Sequence, residues 1–123
     1  IFKIINSEKN GTNLELFGNG KPLRQFMYNK DFACIIEKYV TAGLNVSFNV
    51  APEENISILD YVKITLKTLG LEKIKINFHN PEKNGQFRKD VCNKKFKKYF
   101  NDFKFTSLEN GIMEVYKFYK DQI

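Results

Sequence analysis

At 123 residues, with 42% hydrophobic and 15% aromatic content, the sequence suits one small domain with its own core, which excludes a disordered chain. No run of about 18 apolar residues is present to span a membrane as a helix, and no signal peptide is visible. The formal charge of +6 is carried by dispersed lysines, and that dispersal argues against a nucleic-acid surface.

The chain opens on Ile1, Phe2, Ile4 and Ile5 in the middle of a helical pattern, and Ile1 is not Met. A helix tail to about Ser7 is expected, with its start upstream. A turn at Asn10-Gly11 follows, then a strand over Leu14 to Phe17, a glycine-marked loop from Gly18 to Pro22, and a short extended segment from Arg24 to Tyr28. Phe32, Ile35, Ile36 and Tyr39 recur at helical spacing, which predicts an amphipathic helix over Asp31 to Val40 ended by Gly43. Asp31 opens that helix. Val46-Ser47-Phe48-Asn49-Val50 alternates as a strand does.

Ser57-Ile58-Leu59-Asp60 has the form of a helix cap, and the helix it starts carries Ile58, Tyr61, Val62, Leu66 and Leu69 on one side up to Gly70. Ile74 to Phe78 reads as a half-buried strand. A polar loop from Asn80 to Gln86 leads into an extended stretch, Phe87 to Cys92. Asn93 is placed to cap a short helix whose Lys94, Lys95, Lys97 and Lys98 face solvent around core aromatics. Thr106-Ser107-Leu108-Glu109 offers a capping box for a terminal helix with Ile112, Met113, Val115, Tyr116 and Tyr119. The order is mixed α/β without repeats or linkers.

Cys34 and Cys92 stand in apolar settings with no Cys-x-x-Cys pattern, which predicts buried thiols in a reducing compartment, the cytoplasm. His79 lacks a second histidine or paired cysteine to share a metal and reads as structural or exposed. The arginines are the informative residues. Only two stand among 20 basic residues, and each lies in a glycine-marked segment, Gly18-Asn19-Gly20-Lys21-Pro22-Leu23-Arg24 and Asn84-Gly85-Gln86-Phe87-Arg88-Lys89. Arginine offers what lysine lacks, a planar fork that grips phosphate or carboxylate oxygens in two places. A phosphorylated ligand is the first expectation.

The stretch from Phe17 to Asp31 resembles the aromatic-Gly-x-Gly-x-Pro-x-Arg-x-Phe-x-x-x-x-Asp motif of the extended short-chain dehydrogenases that act on nucleotide sugars. Pro81 to Val91 is similar to the Lys-Pro-Asp-Gly-Thr-Pro-Arg-Lys segment of the GDP-L-fucose synthases within that group. Asn49 with Ser57-Ile58, and Ser107-Leu108-Glu109-Asn110-Gly111-Ile112, resemble two further segments in the same order. Ala51-Pro52 in place of Gly-Thr, Asn29-Lys30 in place of Val-Asp and Phe87 in place of proline depart from the pattern.

The resemblance implies a small mixed α/β substrate-binding domain over residues 1–123, the C-terminal portion of an NADP-dependent epimerase and reductase acting on GDP-4-keto-6-deoxymannose. It implies Arg24 and Lys89 as ligands of the nucleotide diphosphate or sugar and Phe17 in the nucleotide pocket. Arg88 is a neighbour in the motif, and Lys3 is the nearest basic residue to an upstream family arginine. The cofactor loop and the catalytic Ser, Tyr and Lys would lie in an absent N-terminal Rossmann half, so this part alone is expected to bind no NADP and to be inactive. Tyr116 with Lys120 satisfies Tyr-x-x-x-Lys only by chance. The helix and strand over about 31–50 would complete or flank the Rossmann domain, leaving Phe32, Ile35, Ile36 and Tyr39 as an apolar patch toward it. A GDP-sugar substrate, the Rossmann half and a second copy in a homodimer are the expected partners, with no membrane and no nucleic acid. Another nucleotide-sugar epimerase or dehydratase, or a stand-alone basic nucleotide or nucleic-acid binding module, stays open as the alternative.

Overall fold

A computed structural model describes residues 1–120 of the chain. Two hydrophobic cores organise it. The first forms where α1 (Phe2–Asn10) packs the buried Ile4 against a parallel pair of strands, β1 (Leu14–Phe17) and β4 (Ile76–His79), with Leu14 opposite Ile76 and Phe17 opposite His79. Alternation turns Leu14 and Leu16 inward and leaves Glu15 and Phe17 outside. On the inner face lies α3 (Ile58–Thr68), whose Val62 and Leu66 join Ile4 and Leu14. Ser57 starts this helix by accepting from the Asp60 amide at 2.9 Å, a cap worth about 1 kcal/mol. Thr65 is fully buried but satisfied, its hydroxyl donating to the Tyr61 carbonyl at 2.8 Å. Packed against α3 is α5 (Leu108–Lys120), with Ile112 buried and the Tyr116 hydroxyl donating to Glu8 of α1 at 3.1 Å.

The second core is aromatic. From α2 (Asn29–Thr41) comes Ile35, and from α4 (Lys94–Tyr99) and its end come Phe96 and Phe100. Rings of Phe48, Phe100, Phe103 and Phe105 lie 5.4 to 5.9 Å from Phe96 between centroids, each pair adding about 0.5–1.5 kcal/mol beyond its burial. The lysines of α4 stay exposed around it, as the alternation predicted.

A second, small sheet consists of three two-residue strands, in the order β3 (Ile56–Ser57), β2 (Leu23–Arg24) and β5 (Arg88–Lys89). β2 runs antiparallel to β3 and parallel to β5. Among the described residues no helix is long and apolar enough to cross a membrane.

Several expectations need correction. Val46 to Val50 is not a strand. The Tyr39 hydroxyl takes both backbone groups of Val46, accepting from its amide at 3.2 Å and donating to its carbonyl at 3.1 Å, while Phe48 and Val50 pack into the aromatic core. The patch expected on α2 is narrower for the same reason. Ile35 is 2% exposed and Tyr39 packs beside it, so the outward stripe is Phe32, Ile36 and Val40. Cys92 is exposed rather than buried, because it follows an edge strand, and Cys34 is half-buried. Asn93 occupies the cap position of α4 without capping it, since its side-chain amide donates to the Ala51 carbonyl at 2.9 Å. The box before α5 is not built on Thr106, which is bound elsewhere; Ser107 takes the cap, accepting from the Asn110 amide at 3.3 Å.

Candidate functional site

The loop between β1 and β2 is shaped by two glycines in the left-handed region, Gly18 at φ 75° and Gly20 at φ 71°. A Cβ on Gly20 would lie 2.8 Å from the Cβ of Leu59, so no larger residue fits there, and one on Gly18 would lie 2.7 Å from Asn84 Oδ1, so a larger residue would be strained and would displace the Asn84 side chain. The close approach at Gly20 lets the loop sit on the start of α3. The Ile58 and Leu59 amides donate to the carbonyls of Pro22 and Gly20 at 3.0 and 2.8 Å. Those helix-start amides are therefore occupied by the chain itself and are not a free anion cradle.

What the loop delivers is Arg24. The parallel register of β2 with β5 sets Arg24 opposite Lys89 and Leu23 opposite Arg88. Because side chains alternate across a strand, Arg24 and Lys89 share one face and Arg88 lies on the other. The Arg24 guanidinium is fixed by its own surroundings, donating from Nη1 to the Leu23 carbonyl at 2.6 Å and from Nη2 to the Gln86 carbonyl at 3.1 Å. One hydrogen on each terminal nitrogen is used in this way, and the rest of the guanidinium hydrogens stay free in a preset plane. Among the described residues neither Arg24 nor Lys89 has a carboxylate partner. Two basic residues in register without a carboxylate partner have the chemistry to receive an anion.

Arg88 differs. Its Nε donates to Asp90 Oδ1 at 2.6 Å, and that hydrogen bond, with the attraction of the Asp90 charge, raises its pKa further. Phe17 is 63% exposed at the end of β1, immediately before the glycine loop. Lys3 is exposed on α1, an element that packs on β1 and α5 rather than on the three-stranded sheet. Of the five expected residues, then, the fold brings Arg24 and Lys89 into register and sets Arg88 on the opposite face.

Two residues that sequence reasoning missed shape the same region. Asn84 accepts from the Asn19 amide at 2.9 Å through Oδ1 and donates to the Pro81 carbonyl at 3.0 Å, tying the two glycine-marked loops together. Gln25 bonds to Val91 and Pro52 from the position after Arg24. The only advance signal was their polarity beside the arginine segments.

His79 is exposed and bonded to Glu15, whose other oxygen accepts from Asn77 at 2.9 Å, an interaction across the outer face of β1 and β4. No group of three or more metal-ligating side chains occurs among the described residues. A cavity of about 200 Å³ lies beside the stacked Phe26 and Tyr61 rings, but neither Arg24 nor Lys89 lines it. The single Gly-x-Gly joins two strands instead of a strand and a helix start, so the residues present do not fit a dinucleotide's pyrophosphate. Tyr116 donates to Glu8, with Lys120 5.5 Å above its ring, an arrangement that ties α5 to α1.

No protein-family model matches the chain. It is 32% identical to a GDP-L-fucose synthase of Dictyostelium discoideum over 98% of its own length and 38% of that protein's. Against a probable GDP-L-fucose synthase of Drosophila melanogaster it is 25% identical over 85% of its length and 33% of the other. The crystal structure of a GDP-L-fucose synthetase from Naegleria fowleri superimposes with a TM-score of 0.83 at 26% identity, covering 98% of this chain and 37% of that one. A second structure of that protein, bound to NADP, gives a TM-score of 0.81. The fold is shared more widely. A UDP-glucuronic acid 4-epimerase from Bacillus cereus gives a TM-score of 0.82 at 21% identity. The chain thus spans little more than a third of the relatives it matches.

Proposed function

We propose, for a chain that matches the C-terminal part of GDP-L-fucose synthases, that it forms the substrate-binding portion of an NADP-dependent nucleotide-sugar 3,5-epimerase and 4-reductase. The substrate is GDP-4-keto-6-deoxymannose. Arg24 and Lys89 hold its diphosphate, Phe17 lines the nucleotide pocket, and Arg88, from the opposite face of β5, and Lys3, from α1, add general positive charge rather than contacts. NADP and the reacting groups belong to a Rossmann half of the longer protein, which assembles as a homodimer in the cytoplasm. Hydride and proton transfer are therefore assigned no residue here.

The observation that carries this reading is the Arg24 and Lys89 pair, in register on one face and without a carboxylate partner. A preset guanidinium loses little freedom on binding, so its charge-assisted bonds to phosphate are realised in full. Such a contact contributes about 1.5–3 kcal/mol. The outer stripe of α2, Phe32, Ile36 and Val40, is the surface offered to the Rossmann half.

Calorimetric titration of GDP into the full-length protein tests the assignment. Arg24→Lys keeps the charge but loses both the fork and its two carbonyl anchors, so weaker binding is expected. Equal affinity for the two proteins would remove Arg24 from the site.

A further inference from the structure

We propose that Gln25 is a positioning residue that sets Lys89 opposite Arg24 and thereby governs phosphate affinity without touching the ligand. The inference rests on the reading of Arg24 and Lys89 as the phosphate-binding pair. β5 is two residues long, exposed, and at the edge of its sheet. So short a strand has few ladder bonds of its own. On one side of the pair the Leu23 amide donates to the Phe87 carbonyl at 2.7 Å. On the other side the pairing of β2 with β5 ends at Arg24 and Lys89, and the Gln25 side chain takes over.

Gln25 Oε1 accepts from the Val91 amide at 2.8 Å, and Nε2 donates to the Val91 carbonyl at 3.3 Å. This is the two-way exchange that a backbone partner makes in an antiparallel ladder, here supplied by a side-chain amide. Nε2 also donates to the Pro52 carbonyl at 2.8 Å, which anchors the clamp to the segment that leads into β3. Lys89 is held between the Phe87 bond and the Val91 bonds. Both hydrogens of the Gln25 amide are committed to protein carbonyls, so none is left to donate to a phosphate. Its influence must pass through Lys89.

A double-mutant cycle on GDP affinity in the full-length protein tests this, using Gln25→Leu, Lys89→Ala and their combination. Gln25→Leu keeps the bulk and removes all three bonds, and should weaken GDP binding by about tenfold, the scale of one or two lost hydrogen bonds. In the Lys89→Ala background the same change should have little effect, because coupled residues are non-additive. The Val91 amide should also exchange faster in Gln25→Leu. Gln25→Met serves the same cycle where Gln25→Leu does not fold. An equal penalty in both backgrounds would overturn the inference alone and leave Gln25 a general stabiliser. If Lys89→Ala and Arg24→Ala themselves leave GDP affinity unchanged, the phosphate reading fails and the inference falls with it.

Discussion

The carboxylate of Asp31 grips Thr106 at two points, accepting from its amide at 2.8 Å and from its hydroxyl at 2.7 Å. Asp31 is 8% exposed in the first turn of α2, and Thr106 precedes α5, so one side chain ties the helix of the aromatic core to the helix of the aliphatic one. Asp31→Ala leaves both donors without their acceptor in a partly buried place, and a loss of about 2–4 kcal/mol is expected at neutral pH. Asp31→Asn keeps one acceptor and should lose less. Urea unfolding of the three proteins measures this. An Ala variant as stable as wild type would show that the tie is redundant.

The elements that sequence periodicity predicts well are those for which the fold supplies the partner their pattern implies, as β4 does for β1. Leu14 to Phe17 alternates against its own loop boundaries, and Ser57 caps a helix whose apolar side repeats regularly; both stand where expected. Val46 to Val50 alternates equally well, but a strand exists only where another backbone pairs with it, and here Tyr39 takes the place of that backbone. The site divides in the same way. Arg24 stood out as a rare residue in a constrained loop. Its register with Lys89 is a relation between distant segments, held by Gln25 and Asn84, and no local pattern encodes a side-chain amide standing in for a strand.

Gly20 is the position where the loop tolerates least change. At φ 71°, with Leu59 Cβ 2.8 Å from the site of any added Cβ, Gly20→Ala combines backbone strain with a clash. A loss of roughly 1–3 kcal/mol is expected for the strain alone. The loop should lift from α3, so faster exchange of the Ile58 and Leu59 amides is the second sign. Unchanged exchange at those two amides would mean that the loop and helix are not coupled.

Phe96 is 1% exposed at the centre of the aromatic core. Phe96→Ala removes the ring that Phe48, Phe100, Phe103 and Phe105 surround, and a loss of about 3–5 kcal/mol is expected. Lys95→Ala, on the exposed face of the same helix, should change stability by less than about 0.5 kcal/mol. Thermal unfolding of both variants checks the contrast. Similar losses would argue against α4 packing on this face.

Tyr61 stacks on Phe26 at 4.1 Å, and burial pushes its phenol above the ordinary 10.0. A raised folded-state pKa means that the neutral phenol stabilises the fold fully below the unfolded value and that this contribution is lost as pH rises through the folded one. Absorbance titration should show late tyrosine ionisation above the ordinary range that is reduced by one group in Tyr61→Phe, while Tyr116, raised by burial and by its bond to the Glu8 carboxylate, accounts for the late ionisation that remains. Ionisation of Tyr61 together with the exposed tyrosines would contradict the packing described.

Phe32, Ile36 and Val40 follow one another at i, i+4 and i+8 on α2, with exposures of 46%, 48% and 69%, while the adjacent flank of the helix is already buried through Ile35. In the proposed full-length enzyme this stripe meets the Rossmann half. Apart from it the stripe faces water, and pairing two copies recovers about 25 cal/mol for each Å² of apolar surface buried. The 123-residue chain by itself should therefore self-associate through α2 in a concentration-dependent way. Ile36→Lys with Val40→Glu should abolish that association without lowering thermal stability, since neither side chain supports the aromatic core. Sedimentation velocity over a wide concentration range is the measurement. A parent chain that stays monomeric throughout would show that the stripe is not an interface, and association unaffected by the double substitution would move the interface to another face.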